Sequence, residues 1–403
     1  MKRIVLLTVL LLLSVGFVFS VDFGFLLDQK FELENGEDYV IFSYTPGLTP
    51  WFSWNGGKGL SVFLSAYMSL RYNTSNDDID DNDGFLKPVF FPEISRFEVM
   101  YRSGQLFAVE AGRIFYSDVF GMTAAGLFDG ARFDLSLPLG NISIGAYYSG
   151  LQYKETAKIS MTGSDAENNG SGWEYDSFGD YFASKRVIAS VRWDLPIFQF
   201  SSISAEVLAQ FDVNGKDDKL HSQYGEVQFE LYPVSKIGLN FGLLFEAMEN
   251  GEGDFFAAFG ALAGLRMEVP GALNDGLKVL LKFSSGSYND TFASFTPMTA
   301  ASQGMVFPGV FSGLGVISAN YSIRILPSLF AEGILSYFIR TFTDDYNDGT
   351  LYGGELWTSI AYQPFDDVRV SLAGGLFFPA LGNYYSSGTK PSWKISSVLS
   401  LSF

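Results

Sequence analysis

The sequence predicts an all-β chain: a single transmembrane, antiparallel, up-and-down β-barrel of about eighteen strands, with sixteen as the alternative. Three observations carry this. The composition is 17 % aromatic, with 40 Phe, 21 Tyr and 43 Gly, yet only 17 % charged. Beyond residue 20, no apolar run reaches the ~18 residues that a membrane helix needs. Apolar and polar residues instead alternate with period two in segments of ~10 residues, separated by turn-forming stretches. Since only helices and closed barrels satisfy their backbone groups inside a bilayer, the alternation selects the barrel.

The chain opens with Lys2 and Arg3, an apolar run from Ile4 to Val15, and Val18 and Ser20 at positions suited to cleavage. Residues 1–20 therefore read as a secretory signal peptide, and 21–403 as one barrel domain with no room for an N-terminal plug. Cysteine is absent, so no acylation site, disulfide or thiolate metal site is available. The first segment sets Phe25, Leu27, Phe31 and Leu33 against Asp28, Lys30 and Glu32. The second, about Tyr39 to Trp54, is interrupted by Pro46 and Pro50. The third sets Val62, Leu64, Ala66, Met68 and Leu70 against Ser61, Ser65, Ser69 and Arg71, and an acidic loop with Asp77, Asp78, Asp80, Asp81 and Asp83 follows. Phe97, Val99 and Tyr101 then face outward and Arg96, Glu98 and Arg102 inward. The fifth segment runs from Phe107 to Tyr116, a loop from Val119 to Gly130 follows, and the sixth sets Phe133, Leu135 and Leu137 against Arg132, Asp134 and Ser136. Ile142 to Tyr148 is the seventh, and the stretch from Glu155 to Ser184, rich in Gly, Asn, Ser and acids, reads as a long extracellular loop.

The second half keeps the rhythm. Val187 to Leu195, Ile203 to Asp212, Glu226 to Leu231 and Ile237 to Phe245 alternate without a parity error. Phe255 to Val269, Leu277 to Phe283, Ile317 to Ile325, Leu329 to Phe342, Leu351 to Phe365 and Val368 to Pro379 follow, and Trp393 to Phe403 is the last. Connections after even segments are short, as at Ser103-Gly104, Leu139-Gly140-Asn141, Ser235-Lys236, Pro327-Ser328 and Asp366-Asp367, while every long one follows an odd segment. That sorting is the turn-and-loop asymmetry of membrane barrels, and an even count returns both ends to one side. Phe25 to Leu33 is then the expected closing partner of Trp393 to Phe403.

Barrels of this size leave an aqueous lumen. The expected pore-lining bases are Arg96, Arg102, Arg113, Arg132, Arg186, Arg192, Arg266, Lys278, Lys282, Arg324, Arg340 and Arg369. The expected acids are Glu98, Asp134, Asp194, Glu206, Asp212, Glu226, Glu230, Glu246, Glu332 and Glu355. Along the chain the arginines concentrate in the fourth to eighth segments and the acids in the ninth to eleventh. Facing basic and acidic walls would set up a transverse field that orients polar solutes. Two loops are unusually apolar, Val119 to Phe128 and Thr291 to Gly309, and both are expected to fold into the lumen. Met122, Leu127, Phe128, Phe295 and Met305 are their constriction candidates.

Other chemistry is poorly served. A net charge of −18 opposes nucleic-acid binding, which needs a basic surface. The single histidine, His221, lies beside a polar turn and reads as a surface residue, since a Ser-His site needs an orienting third group. The Asp77 to Asp83 run lacks the spacing of a defined calcium loop. The chain is therefore read as a non-enzyme without cofactor or metal.

Two resemblances extend this reading. The alternating strand Trp393 to Phe403, ending on an aromatic residue, resembles the signature of bacterial outer-membrane β-barrel proteins. It implies recognition of that strand, Phe403 above all, by the barrel-assembly machinery. Gly112-Arg113, Tyr116-Ser117-Asp118 and Leu127-Phe128-Asp129-Gly130-Ala131-Arg132 resemble the pattern of alginate-export porins. That family implies an eighteen-stranded pore, lumen-facing arginines and an anionic polysaccharide solute; by parity, an inward Arg113 requires a bulge at Gly112. The expectation is thus a porin-like channel in the outer membrane of a double-membraned bacterium, in contact with outer-membrane lipid and passing small hydrophilic solutes. Polysaccharide export and a non-conducting barrel with adhesive loops are the alternatives, and oligomeric state is left open.

Overall fold

In a computed structural model, the structure describes residues 20–35, 39–75, 88–170, 173, 177–269, 271, 275–287, 292–341 and 349–403. The segment expected to be a signal peptide and the Asp77 to Asp83 run lie outside the described residues, apart from Ser20. The strands are β1 (Ser20–Asn35), β2 (Val40–Gly57), β3 (Leu60–Ser75), β4 (Val89–Ser103), β5 (Phe107–Ser117), β6 (Ala125–Leu137), β7 (Gly140–Tyr148), β8 (Arg186–Phe198) and β9 (Ser201–Asp212). They continue as β10 (Leu220–Val234), β11 (Ile237–Asn250), β12 (Phe255–Glu268), β13 (Gly276–Ser284), β14 (Leu314–Leu326), β15 (Leu329–Arg340), β16 (Leu351–Phe365), β17 (Val368–Phe378) and β18 (Ser392–Ser402). Two helices, α1 (Lys154–Ala157) and α2 (Gly163–Gly170), lie between β7 and β8.

All eighteen strands belong to one sheet in which sequence neighbours pair antiparallel, and β1 pairs with β18 to close it. The closing register runs from Leu26↔Ser402 to Glu34↔Lys394. Phe25 and Phe403 extend it with reciprocal backbone bonds of 3.0 and 2.9 Å, and their rings stack at 5.0 Å. The expected strand number and closing pair are both observed. Gly24 is required at this seam: a Cβ there would lie 2.2 Å from the Phe403 carbonyl oxygen and 2.7 Å from the Trp51 ring.

Closure leaves the sheet without a free end strand, so the strands can turn an apolar face outward toward lipid. Val187, Val191, Val207, Phe241, Leu243 and Phe245 are exposed on that outer face. Their sequence neighbours Ile188, Leu208, Leu244 and Glu246 are buried on the inner one. The period-two pattern thus separates outside from inside residue by residue.

Two boundaries differ from expectation. β6 begins at Ala125, so the loop before it is 118–124 and both Leu127 and Phe128 are strand residues. The described residues between Glu155 and Ser184, read as a long extracellular loop, include α1, α2 and a short turn of helix at Phe178–Tyr181, with Ala157, Ile159, Met161 and Tyr181 buried. Its apolar minority is what draws it onto the barrel, since burying each large apolar side chain stabilises by about 1.5–3 kcal/mol.

Candidate functional site

Three loops meet inside the barrel. In the 118–124 loop the Asp118 carboxylate accepts backbone N–H bonds from Phe120, Met122, Thr123 and Ala124 at 3.0, 3.3, 3.2 and 2.9 Å. This single side chain winds the loop about itself. Phe120 reaches the inner face of β11, where only a glycine leaves space: a Cβ on Gly242 would lie 2.1 Å from its ring. The Thr123 hydroxyl donates to Glu226 of β10 at 2.6 Å, and the Tyr116 hydroxyl donates to Glu206 of β9 at 2.6 Å. Burial pushes the Asp118 carboxyl above the usual carboxylate range, although its N–H donors pull the other way.

The stretch 292–313, between β13 and β14, crosses the lumen against the first loop. Met298 N–H donates to the Thr123 carbonyl at 2.7 Å, Thr296 N–H to Glu246 at 2.7 Å, and the Tyr224 hydroxyl to the Thr296 carbonyl at 2.7 Å. At its far end Glu355 of β16 accepts from the N–H groups of Met305, Val306 and Phe307 at 2.8, 3.0 and 2.7 Å. The third loop, between β7 and β8, joins through Lys158, whose carbonyl accepts from Ala300 N–H at 2.9 Å. It is tied to the wall through Thr156 to Glu93 at 2.8 Å and Glu155 to Arg71 at 2.6 Å. Ile114, Met122, Phe128, Ile159, Met161, Phe295 and Met298 form one buried cluster where the loops meet. Of the expected constriction residues, Met122, Phe128 and Phe295 belong to this cluster, Met305 stays exposed, and Leu127 opposes Phe115 on the outer face.

The expected lumen charges fall into four groups. Most arginines of β4 to β8 are held by carboxylates: Arg96 by Glu98 at 2.5 Å, Arg132 by Glu110 and Asp134 at 2.8 and 3.1 Å, Arg186 by Asp165 and Asp212 at 2.5 and 2.6 Å, and Arg192 by Asp194 at 3.0 Å. Glu206, Glu226, Glu246 and Glu355 hold loops or loop-facing hydroxyls, as given above. Smaller contacts occupy Glu332 with Asn320 at 2.6 Å, Lys282 with Gln303 at 2.8 Å, Arg324 with the Pro327 carbonyl at 2.7 Å, and Glu230 with the Tyr232 hydroxyl at 3.4 Å. Arg340 places its guanidinium 5.6 Å from the Tyr384 ring. Among the described residues Arg102, Arg266, Lys278 and Arg369 make no ion pair. The basic wall expected opposite an acidic one is therefore largely neutralised in place.

Arg113 does not follow its expected route. The β5–β6 register runs from Phe107↔Leu135 to Ser117↔Ala125 without a shift, so no bulge at Gly112 turns it inward. β4 and β5 pair only from Phe97↔Arg113 to Ser103↔Phe107 and part beyond that point. Where they part, the Arg113 guanidinium pairs with both Asp129 oxygens at 2.9 Å and donates to the Ile94 and Leu151 carbonyls at 2.7 and 2.9 Å. The Tyr181 hydroxyl likewise donates to the Pro92 carbonyl at 2.6 Å. Both side chains thus supply donors to the strand edge left unpaired. His221, read as a surface residue, lies within β10 and is half-buried, accepting the Asp212 N–H at its Nδ1 at 3.1 Å.

Sequence reasoning missed Asp118 as the organiser of its loop, and missed Asp165, which is fully buried against Arg186. The available signal was apolar: Ile159 and Met161 within an otherwise polar stretch. Elsewhere, the inner faces of β18, β1, β2 and β3 are mostly half-buried, with Gly47, Ser65 and Ser69 buried among them, while Phe377 of β17 is buried under Phe307. A cavity of about 580 Å³ opens there between the wall residues Thr45, Tyr67 and Arg71 and the loop residues Glu155, Ser160 and Asn169.

No family model matches the chain, and no curated protein matches it in sequence. Solved structures do match in fold. OccK7 (OpdD) of Pseudomonas aeruginosa aligns with a TM-score of 0.60 at 12 % identity, covering 95 % of this chain and 99 % of that one. The outer membrane protein OpdK of the same organism, crystallised with vanillate, aligns with a TM-score of 0.61 at 11 % identity over 95 % of this chain and 98 % of that one. OccK5 (OpdH) aligns at 0.58 and 10 % identity, over 95 % and 98 %. At these identities the likeness is one of fold.

Proposed function

We propose that this protein is an outer-membrane diffusion channel for small hydrophilic solutes. The observation that carries the reading is the partial filling of a closed eighteen-stranded barrel: loops occupy one side of the lumen, while a polar, half-exposed wall lines the other. A barrel with this outer face belongs in a bilayer. Inward loops that narrow an aqueous lumen are the means by which such a pore selects by size and hydrogen bonding. The fold likeness to outer-membrane proteins supports the same location. Arg96, Glu98, Arg102, Lys282 and Arg369 are the lining residues whose substitution should change conductance first, since each faces the lumen without belonging to the buried cluster.

Polysaccharide export in the manner of alginate-export porins rests on the sequence pattern alone. Arg113 and Arg132, the arginines of that pattern, are both held by carboxylates, which leaves no basic run for a polyanion. Planar-bilayer recording of the purified, folded barrel tests the channel reading. Discrete ohmic steps are expected, and a folded barrel that passes no ions would overturn it in favour of an interaction role for the loops.

A further inference from the structure

We propose that the lumen face of β2 and β3 binds neutral, ring-shaped polyhydroxylated solutes, monosaccharides and short oligosaccharides, with Tyr67 and the cavity beside it as the principal site. This rests on the channel reading above and names its solute class.

The first observation is aromatic. Trp51, Phe63 and Tyr67 lie on the inner face of two adjacent strands, Tyr67 beside the loop between β7 and β8, and all three are half-exposed. Inward rings elsewhere, such as Tyr116, Phe128 and Tyr224, are sealed beneath the loops. Trp51 and Phe63 are nearly parallel, 15° apart with centroids at 6.5 Å. A ring face carries negative quadrupole charge and attracts the weakly positive C–H groups on one face of a pyranose. Placed in a water-filled lumen, such rings offer a flat apolar surface to a solute that is otherwise polar.

The second observation is electrostatic and independent of the first. Most charges on this wall are closed in pairs, Lys30 with Glu32 at 2.8 Å, Lys394 with Glu32 and Glu34 at 3.1 Å each, and Arg71 with Glu155 at 2.6 Å, while Asp28 accepts the Ser400 hydroxyl at 2.5 Å. Of the bases that line the cavity beside Tyr67, Lys158 makes no ion pair among the described residues, while Arg102 and Arg369 stand beside the turns at the opposite end of the barrel from the loops. Paired charges exert little net pull on an ion, but their N–H groups and carboxylate oxygens still donate and accept. Hydroxyl groups, which do both, suit such a surface better than a carboxylate or an amine does.

The third observation is volumetric. The cavity beside Tyr67 measures about 580 Å³, within the range of small-molecule sites. It brings the ring together with the Thr45 and Ser160 hydroxyls, the Asn169 amide and the Arg71–Glu155 pair. Ring face and convergent hydrogen-bonding groups thus meet where the lumen passes the loops.

The test is single-channel recording of the whole folded barrel with maltotriose, and with benzoate as an anionic ring solute. Maltotriose should reduce the ion current in a saturable manner, and Tyr67→Ala should raise the half-blocking concentration ~10-fold, equivalent to about 1.4 kcal/mol. Tyr67→Phe should lie between the two, and Val207→Ala, on the outer face, should titrate like the parent. A current insensitive to maltotriose, or blocked by benzoate alone, overturns the proposal. Should Tyr67→Ala not assemble, the parent and Tyr67→Phe titrations decide it by the same criteria. A barrel that passes no ions overturns the channel reading instead; calorimetric titration with maltotriose then decides this one, and absence of heat rejects it.

Discussion

The inner faces of β8 to β11 and of β1 to β3 obey the same alternation but use their charges differently. In the first region the inward residues Ile188, Leu208, Glu226 and Glu246 are all buried, and the carboxylates hold Thr123 and the Thr296 N–H of two loops. In the second, Glu32 is shared by Lys30 and Lys394 on the wall itself. A lumen carboxylate can therefore hold loop backbone or a neighbouring base. The first use narrows the pore at the cost of desolvation, and the second leaves a solvated wall with little net field. The contrast predicts that substitutions in the two regions differ in size and in what they change.

The largest effect is expected at Arg186. Replacing it with Met leaves Asp165 and Asp212 as facing carboxylates with 0 and 2 % side-chain exposure, a loss of about 3–5 kcal/mol. The melting of the folded electrophoretic form in detergent would fall accordingly; a shift no greater than that of a surface variant would erase the contrast. Next is Asp118→Ala, which takes the acceptor from four loop N–H groups; the loop opens to lumen water rather than keep them buried, so the loss is held to about 1–3 kcal/mol. Its signature is functional, namely higher conductance and more current noise. Asp118→Asn should be milder, because burial already favours the uncharged carboxyl. The sign with pH follows: with its folded value above its unfolded one, loop closure strengthens as pH falls through the raised value and weakens as pH rises through it. Current noise should therefore decline on acidification, and Asp118→Asn should reduce that dependence. Deleting Phe403 comes third, removing two backbone bonds and the stack on Phe25 at the seam. Its expected readout is a reduced amount of barrel in the outer membrane with little change in unit conductance, measured by membrane fractionation and bilayer recording.

What was legible in the sequence follows the same division. Strand number, closing pair and outward faces could be read because period-two alternation is local and each strand repeats it; Val187 to Leu195 needed no knowledge of its neighbours. The apolar character of Met122 and Phe295 likewise announced that their loops would not stay in water. The partners were not legible. Arg132 finds Glu110 through cross-strand register, Arg186 finds Asp165 from a loop helix, and Asp118 binds its own loop, none of which alternation encodes. Arg113 failed for another reason: its environment depends on where β4 leaves β5, a feature of two strands together.

The smallest expected effect is at Lys394, and it sharpens the comparison by being small. Its ammonium lies 3.1 Å from both Glu32 and Glu34, with 26 % of the side chain exposed. Glu32 keeps Lys30 at 2.8 Å when Lys394 is lost, so no carboxylate is left buried and alone. Exposed pairs of this kind contribute about 0–1 kcal/mol, and Lys394→Ala should move the detergent melting point within that range. Its electrical consequence should be larger than its structural one. Removing one cation from this wall leaves Asp28, Glu32 and Glu34 facing Lys30 alone, a stronger negative field in the open part of the lumen, and selectivity between K⁺ and Cl⁻ responds to lining charge. Reversal potentials in a KCl gradient should shift toward cation preference at unchanged stability. A shift of equal size from Arg186→Met in molecules that remain folded would mean that both regions face the same water, and that the division drawn between them is not what the ions encounter.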